Sequence, residues 1–325
     1  MTVLPAASAT LRRADRRLYL PTLVVAGVTA GLVWFAVGTL EGSGNLGRVL
    51  AAGRAELVAP AVAVVVAVMM VCERIWPAER RRLLAGGPAH DAAYLVLHIA
   101  VVVPLMTLLS MAFGTLMVSH ASWMELNGTN GWPRPLLLGL TLVLMDGGNW
   151  VAHWADHRLR PLWRLHALHH SQEELSVLTS FRAHPLSHLA GFLLATIPVV
   201  VLVGNRQMAP VLITGYVCLG TLTHANVSWS FGPIGKIIVS PAYHRLHHSE
   251  EGALGLNLGI ALTLWDVLAG RARFPTAGTA PCPTGLPDRP VPIEPKGAAF
   301  APRTLLAQLV EPFQPVRTGE RPAAP

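Results

Sequence analysis

The chain alternates long apolar runs with short, basic polar stretches. Leu20–Leu40 carries no charge, and about 20 such residues in a helix cover the hydrocarbon core of a bilayer. Leu57–Cys72 is shorter and nearly all Ala and Val, with Trp76 just beyond it. Ala92–Val118 is long and encloses His98 and Pro104. Pro135–Val151 is apolar but carries Asp146 and Asn149. Leu189–Val203 and Met208–Thr223 flank the short polar link Gly204-Asn205-Arg206-Gln207. The pattern predicts an all-α fold, a multi-span transmembrane helical bundle of about four to six spans, with the shorter runs as candidate re-entrant hairpins. The first run is longer than the apolar region of a cleaved signal peptide, so it is expected to remain in the protein.

Composition narrows the class. Of the 325 residues, 52% are hydrophobic and 13% charged, about half the charge of a soluble domain. Disorder is excluded, since it needs low hydrophobicity and high charge. The net charge of +7 is a topology signal. With the N-terminus inside, only Arg48, Arg54, Arg134 and Arg206 of the 25 Lys and Arg fall outside. Positive charge collects on the cytoplasmic side of membrane proteins, so the N-terminus, the inner loops and the C-terminus are expected there. The basic balance therefore needs no nucleic-acid partner. The three cysteines are too few for a disulfide framework or a Cys-rich metal site. The Ala-, Val- and Arg-rich composition points to a bacterial plasma (inner) membrane.

Histidine is the surplus residue, 14 against 18 Asp and Glu. His153 and His157 form an HxxxH, His166, His169 and His170 an HxxHH, and His244, His247 and His248 a second HxxHH. Chance rarely produces one HxxHH at this histidine content, and two far more rarely. Residues at i, i+3 and i+4 share a helix face, so each HxxHH is expected to aim three imidazoles at one place. Three such segments supply more imidazoles than one zinc site needs, and imidazole suits Zn, Cu, Fe and Ni. Eight to ten nitrogens suit two metals of about five ligands each. The topology puts all three clusters on the cytoplasmic side, in a helical cap.

These residues resemble the fatty acid hydroxylase/sterol desaturase superfamily of histidine-box membrane proteins. Arg182-Ala-His184-Pro185 is similar to its R-x-H-P segment and His224-Ala-Asn226 to its H-x-N segment. Ser240–Ser249 is close to its last box. Asn257-Leu-Gly259 with Trp265-Asp266 resembles its closing N-x-G … W-D motif. Where the family commonly continues with an aromatic and a hydroxyl, this chain has Ala269-Gly270-Arg271. The resemblance covers about 135–273 and divides the chain into a membrane region at 1–134 with about three spans, a catalytic domain at 135–273, and a Pro/Gly-rich tail at 274–325. The tail is expected to be extended and poorly packed, with a short surface helix at Leu305–Val310.

The resemblance implies a di-iron centre of two iron ions, O2 as co-substrate, and hydroxylation or desaturation of a lipid. It carries over His153, His157, His166, His169, His170, His244, His247 and His248 as metal ligands, together with His224 and His184. Asp156, Glu173, Glu174 and Asp266 are candidate hydrogen-bond partners of those ligands. His188 reads as a helix-end residue, and His90, His98 and His120 as non-ligands. Trp154, Trp163 and Trp229 read as interfacial anchors. The sequence has no CxxC set and no GxGxxG before a helix, so electrons are expected from a separate reductase, ferredoxin or cytochrome-like donor. The competing class is a membrane metal transporter or sensor, which would place polar ligands near the bilayer midplane. HExxH is absent, against a zinc protease.

Overall fold

The computed structural model describes residues 55–80, 86–103, 106, 131–203, 210–250, 255–276, 281–286, 291–294 and 300–314. The first apolar run and His120 lie outside them. The described residues are helical and contain no strand beyond isolated bridges such as Ile238 with Leu262. The helices are α1 (Ala55–Ile75), α2 (Gly86–Leu97), α3 (Arg134–Arg158), α4 (Arg160–His170), α5 (His188–Gly191), α6 (Ile197–Val203), α7 (Pro210–Leu222), α8 (Pro241–His247), α9 (Leu264–Leu268) and α10 (Pro302–Val310). Among them one helix, the 25-residue α3, is long and apolar enough to cross a membrane.

Helix α3 organises the rest. It packs against α4, α6 and the π turn Phe192–Thr196 that joins α5 to α6. Gly148 permits this closeness: a Cβ there would lie 2.6 Å from Ala195 Cα and run into the Leu194 carbonyl. Gly147 likewise faces the Trp265 ring, 2.7 Å from where its Cβ would stand. Helix α1 packs along α7. Its Val66, Met69 and Met70 bury against Leu95, Val177, Leu178, Phe181, Ala225 and Val227.

The described parts of the tail are better packed than its composition suggests. Leu286 and Val291 join Tyr94, Ala167 and Leu168 in a second core, with Leu305 and Leu309 of α10 against it. Gln308 is buried and accepts the Tyr94 hydroxyl at 2.9 Å. Glu294 lies 2.7 Å from Arg182 Nη2. The expectation of a loose tail is corrected to this extent, and the helix predicted at Leu305–Val310 begins three residues earlier. A few side chains in a proline-rich stretch bind it down, which no periodicity announces.

Candidate metal centre

Four helix ends deliver the histidines. His153 and His157 occupy the last turns of α3. The chain breaks at Leu159, which is extended, and α4 starts with Pro161 in its first turn, where no backbone donor is needed. That break lets α4 fold back along α3 and bring His166, His169 and His170 to His153 and His157. Helix α8 starts with Ser240 capping the Tyr243 amide at 3.2 Å and Pro241 behind it, and it carries His244 and His247, with His248 at its end. His224 follows α7.

Nine of the ten histidines named from the sequence meet, in two groups. His153, His157, His166, His170 and His247 form one, and His169, His224, His244 and His248 the other; within each, ligand-type atoms lie within 4.8 Å of one another. Each HxxHH is therefore shared between two places, not aimed at one. The reason is helical geometry: at 3.6 residues per turn, i+4 lies about 40° round from i and i+3 about 60° the other way. In α4 the i and i+4 residues serve the five-histidine group and i+3 the four-histidine group. In α8 the assignment is exchanged, so His247 alone crosses to the five-histidine group. The two groups touch through His170 and His248, whose rings stack with centroids 4.5 Å apart.

The imidazoles face one another nitrogen to nitrogen. Nε2 of His247 is 3.0 Å from that of His153, His170 3.1 Å from His166, His224 3.0 Å from His169, and His244 2.9 Å from His224. Several outer nitrogens are spoken for. Nδ1 of His153 donates to the Leu258 carbonyl and that of His247 to the Leu256 carbonyl, both at 2.8 Å. Nδ1 of His169 reaches the Arg182 carbonyl at 3.2 Å and that of His224 the Gly220 carbonyl at 3.1 Å. Both nitrogens of His157 are buried with no partner, as is Nδ1 of His170, His244 and His248. Burial, and then the neighbouring imidazoles, push His166, His169, His170, His244, His247 and His248 well below the ordinary histidine range. They are neutral donors, the form that binds metal. Inward lone pairs converging among buried imidazoles suit two cations, so the residues present fit a two-metal centre.

The surroundings are specific. Asp156 Oδ2 stands 3.7 Å from His166 Nδ1. Trp163 packs its ring 5.3 Å from His157 and 5.8 Å from His170, walling the five-histidine group where a surface anchor was expected. Asp266 and Asp146 touch no imidazole; they tie the 258–265 segment to α3. Glu173 and Glu174 are likewise not in either group. His184 lies outside both groups. Its Nδ1 accepts the Leu186 amide at 3.2 Å, capping the turn that Pro185 begins, and Nε2 reaches the Leu309 carbonyl at 3.2 Å. His98 and His188 pair apart from the centre, 5.1 Å between centroids, and His90 packs on Phe300. What the sequence did not signal was the role of carbonyls: Leu256 and Leu258 orient two histidines without any polar side chain of their own.

The described residues thus gather buried histidines from separate helices into two candidate metal sites, and comparison with known proteins places this arrangement among lipid-oxidising enzymes. Residues 138–271 match the fatty acid hydroxylase family, so this stretch is a domain of that type. The chain is 32% identical over 217 residues to an ornithine lipid hydroxylase, OlsE, of Rhizobium tropici, covering 65% of each protein. It is 24% identical to the alkylglycerol monooxygenases of Caenorhabditis elegans over 142 residues and Homo sapiens over 140. Those two alignments span 42% and 43% of this chain but only 26% and 31% of the relatives. The chain thus spans just under two thirds of the first relative and about a quarter to a third of the others. No solved structure matches the chain.

Proposed function

We propose that this chain is an integral-membrane, O2-dependent lipid hydroxylase whose nine clustered histidines hold two iron ions. The observation that carries the reading is the division of buried, neutral imidazoles into a group of five and a group of four that touch. His153, His157, His166, His170 and His247 would hold one ion, and His169, His224, His244 and His248 the other. Two non-haem irons there would supply the oxygen chemistry that no side chain can perform on an unactivated C–H bond. The protein's part is to keep the imidazoles neutral, fix their ring orientations and exclude bulk water.

In the overall reaction one oxygen atom of O2 enters a lipid C–H bond as a hydroxyl and the other leaves as water. Two electrons and two protons come from a separate reductase, ferredoxin or cytochrome-like donor. Hydroxylation is favoured over desaturation by the activities named for the relatives. The substrate class that fits is a polar acyl or ether lipid, with ornithine lipid first to be tried because that relative is 32% identical over 217 residues. We further infer a multi-span bundle in the bacterial inner membrane, with α3 entering the bilayer and the histidine centre, the N-terminus and the C-terminus on the cytoplasmic face. His184, outside both groups, fits a structural role near α10.

The test is metal analysis of the purified chain with lipid mass spectrometry of cells with and without the gene. Two irons per chain and a lipid gaining one oxygen are expected. A single metal, or tight metal binding with no change in any lipid, overturns the reading, the second result in favour of a transporter or sensor.

A further inference from the structure

The residues from Leu256 to Gly259 make an unusual turn beside the five-histidine group. Asn257 is fully buried with φ of 55°, in the left-handed region. Asparagine tolerates that region better than most residues, and such conformations persist where surroundings enforce them. The enforcement is visible. Asn257 Nδ2 donates to the Tyr243 carbonyl at 2.9 Å and the Arg273 carbonyl at 2.8 Å, and Oδ1 accepts the Arg273 amide at 2.7 Å. The carbonyls on either side of Asn257 are the ones that receive Nδ1 of His247 and His153.

Asp266 holds the far half of the same turn. It is fully buried, and its Oδ1 accepts the Leu258 amide at 2.9 Å and Trp150 Nε1 at 2.9 Å. Its Oδ2 accepts the Gly259 amide at 2.8 Å and the Tyr243 hydroxyl at 3.0 Å. Gly259 has to be glycine for this approach: a Cβ there would stand 2.6 Å from the Leu262 carbonyl oxygen and 3.0 Å from Asp266 Oδ2. Leu258 thus gives its amide to Asp266 and its carbonyl to His153.

We propose that Asn257, Gly259 and Asp266 are positioning residues that aim the Leu256 and Leu258 carbonyls at His247 and His153 and so fix both imidazoles for one of the two metals. This rests on the two-metal reading above. With Nδ1–H held by a carbonyl, Nε2 is left as the ligand atom, and the two Nε2 atoms converge to 3.0 Å. The four-histidine group takes no bond from this turn, so the device serves one metal selectively. It assigns a task to the Asn257-Leu-Gly259 and Trp265-Asp266 pattern.

The experiment is a Co(II) titration of the full-length apoprotein in detergent, followed by its visible absorption. Wild type is expected to take up two ions. Asp266→Asn replaces an acceptor oxygen by an NH2 that cannot accept from a backbone amide. It is expected to bind one ion as wild type does and the other about 10- to 100-fold more weakly, the usual effect of losing an outer hydrogen bond to a ligand. The spectrum of its single tight ion should match that of His157→Ala. Asp146→Asn is the control: its carboxylate accepts the Ala261 and Leu262 amides and Trp265 Nε1, none of which carries a ligand contact. It should keep both ions. Should Asp266→Asn not fold, Asn257→Gly keeps the backbone conformation, removes the side-chain clamp and carries the same expectation. The proposal is overturned if Asp266→Asn binds both ions as wild type does, or if Asp146→Asn weakens them equally. Fewer than two ions on wild type overturns instead the metal reading beneath it.

Discussion

Glu294→Gln measures how firmly the tail is fastened to the centre. Glu294 Oε1 lies 2.7 Å from Arg182 Nη2 and accepts Gln308 Nε2 at 2.7 Å, with side-chain exposures of 0% for Arg182 and 6% for Glu294. Glutamine keeps the shape and one acceptor, so the substitution removes charge more than contact. A hydrogen bond to a charged group contributes about 1.5–3 kcal/mol. Orphaning a buried ion costs about 3–5 kcal/mol. That larger loss is not reached, because Arg182 keeps Asp91 at 3.3 Å. The expected cost is about 2 kcal/mol, or a melting temperature lower by roughly 3 °C for a chain of this size. The pH dependence follows from Glu294 itself. Burial raises its pKa, but the Arg182 guanidinium and the Gln308 amide outweigh burial and hold it below the ordinary glutamate range. Its stabilisation is therefore complete at pH 7 and fades as pH falls below about 4.3. Thermal unfolding of both proteins in detergent, from neutral to acid pH, is the assay. No gap at pH 7, or a gap unchanged through the acid range, refutes the reasoning.

Other outcomes follow from the same geometry. Gly148→Ala should destabilise by about 1–3 kcal/mol through overpacking against the 194–195 backbone, while Gly139→Ala, with open space around it, should be neutral or slightly stabilising in a thermal melt. His224→Ala should lose one of two metals and His184→Ala neither, read by metal analysis of the purified variants. Stripping the metals with a chelator should lower the melting temperature, since binding to the folded state alone stabilises it. The apoprotein should then weaken further as pH falls below about 6.5, because its folded-state imidazoles have lowered pKa values and the unfolded chain takes up those protons first. A flat apoprotein melting temperature between pH 7 and 5 would count against buried neutral histidines.

How far the sequence reached depends on which interactions have a period. HxxxH and HxxHH spacings are helical spacings, so α3, α4 and α8 and their eight imidazoles were legible, and His224 with them. The division into five and four was not, because it turns on the angle between i+3 and i+4 once α4 and α8 face each other. His184 sits in a recognisable segment, yet the turn begun by Pro185 uses its Nδ1 as a cap and points it away. The carbonyls of Leu256 and Leu258 act through backbone, where residue identity carries no signal except Asn257 and Gly259. Glu294 and Gln308 stand alone in proline-rich sequence, so their burial on Arg182 and Tyr94 left no pattern to read. Within the described residues, the apolar runs at 57–72, 135–151, 189–203 and 210–222 were legible as helices. The run at 189–203 is interrupted by the π turn at Phe192–Thr196, which lies where α3 passes through Gly148.

The central claim is that the two histidine groups together oxidise a lipid with O2. Cells expressing the chain, or its His247→Ala variant, can be grown briefly under heavy-oxygen-labelled O2 and their lipids examined by mass spectrometry. The account predicts a lipid carrying one heavy oxygen atom with the wild-type chain and none with the variant. A lipid profile indistinguishable between the two, or an added oxygen that comes from water, would contradict it.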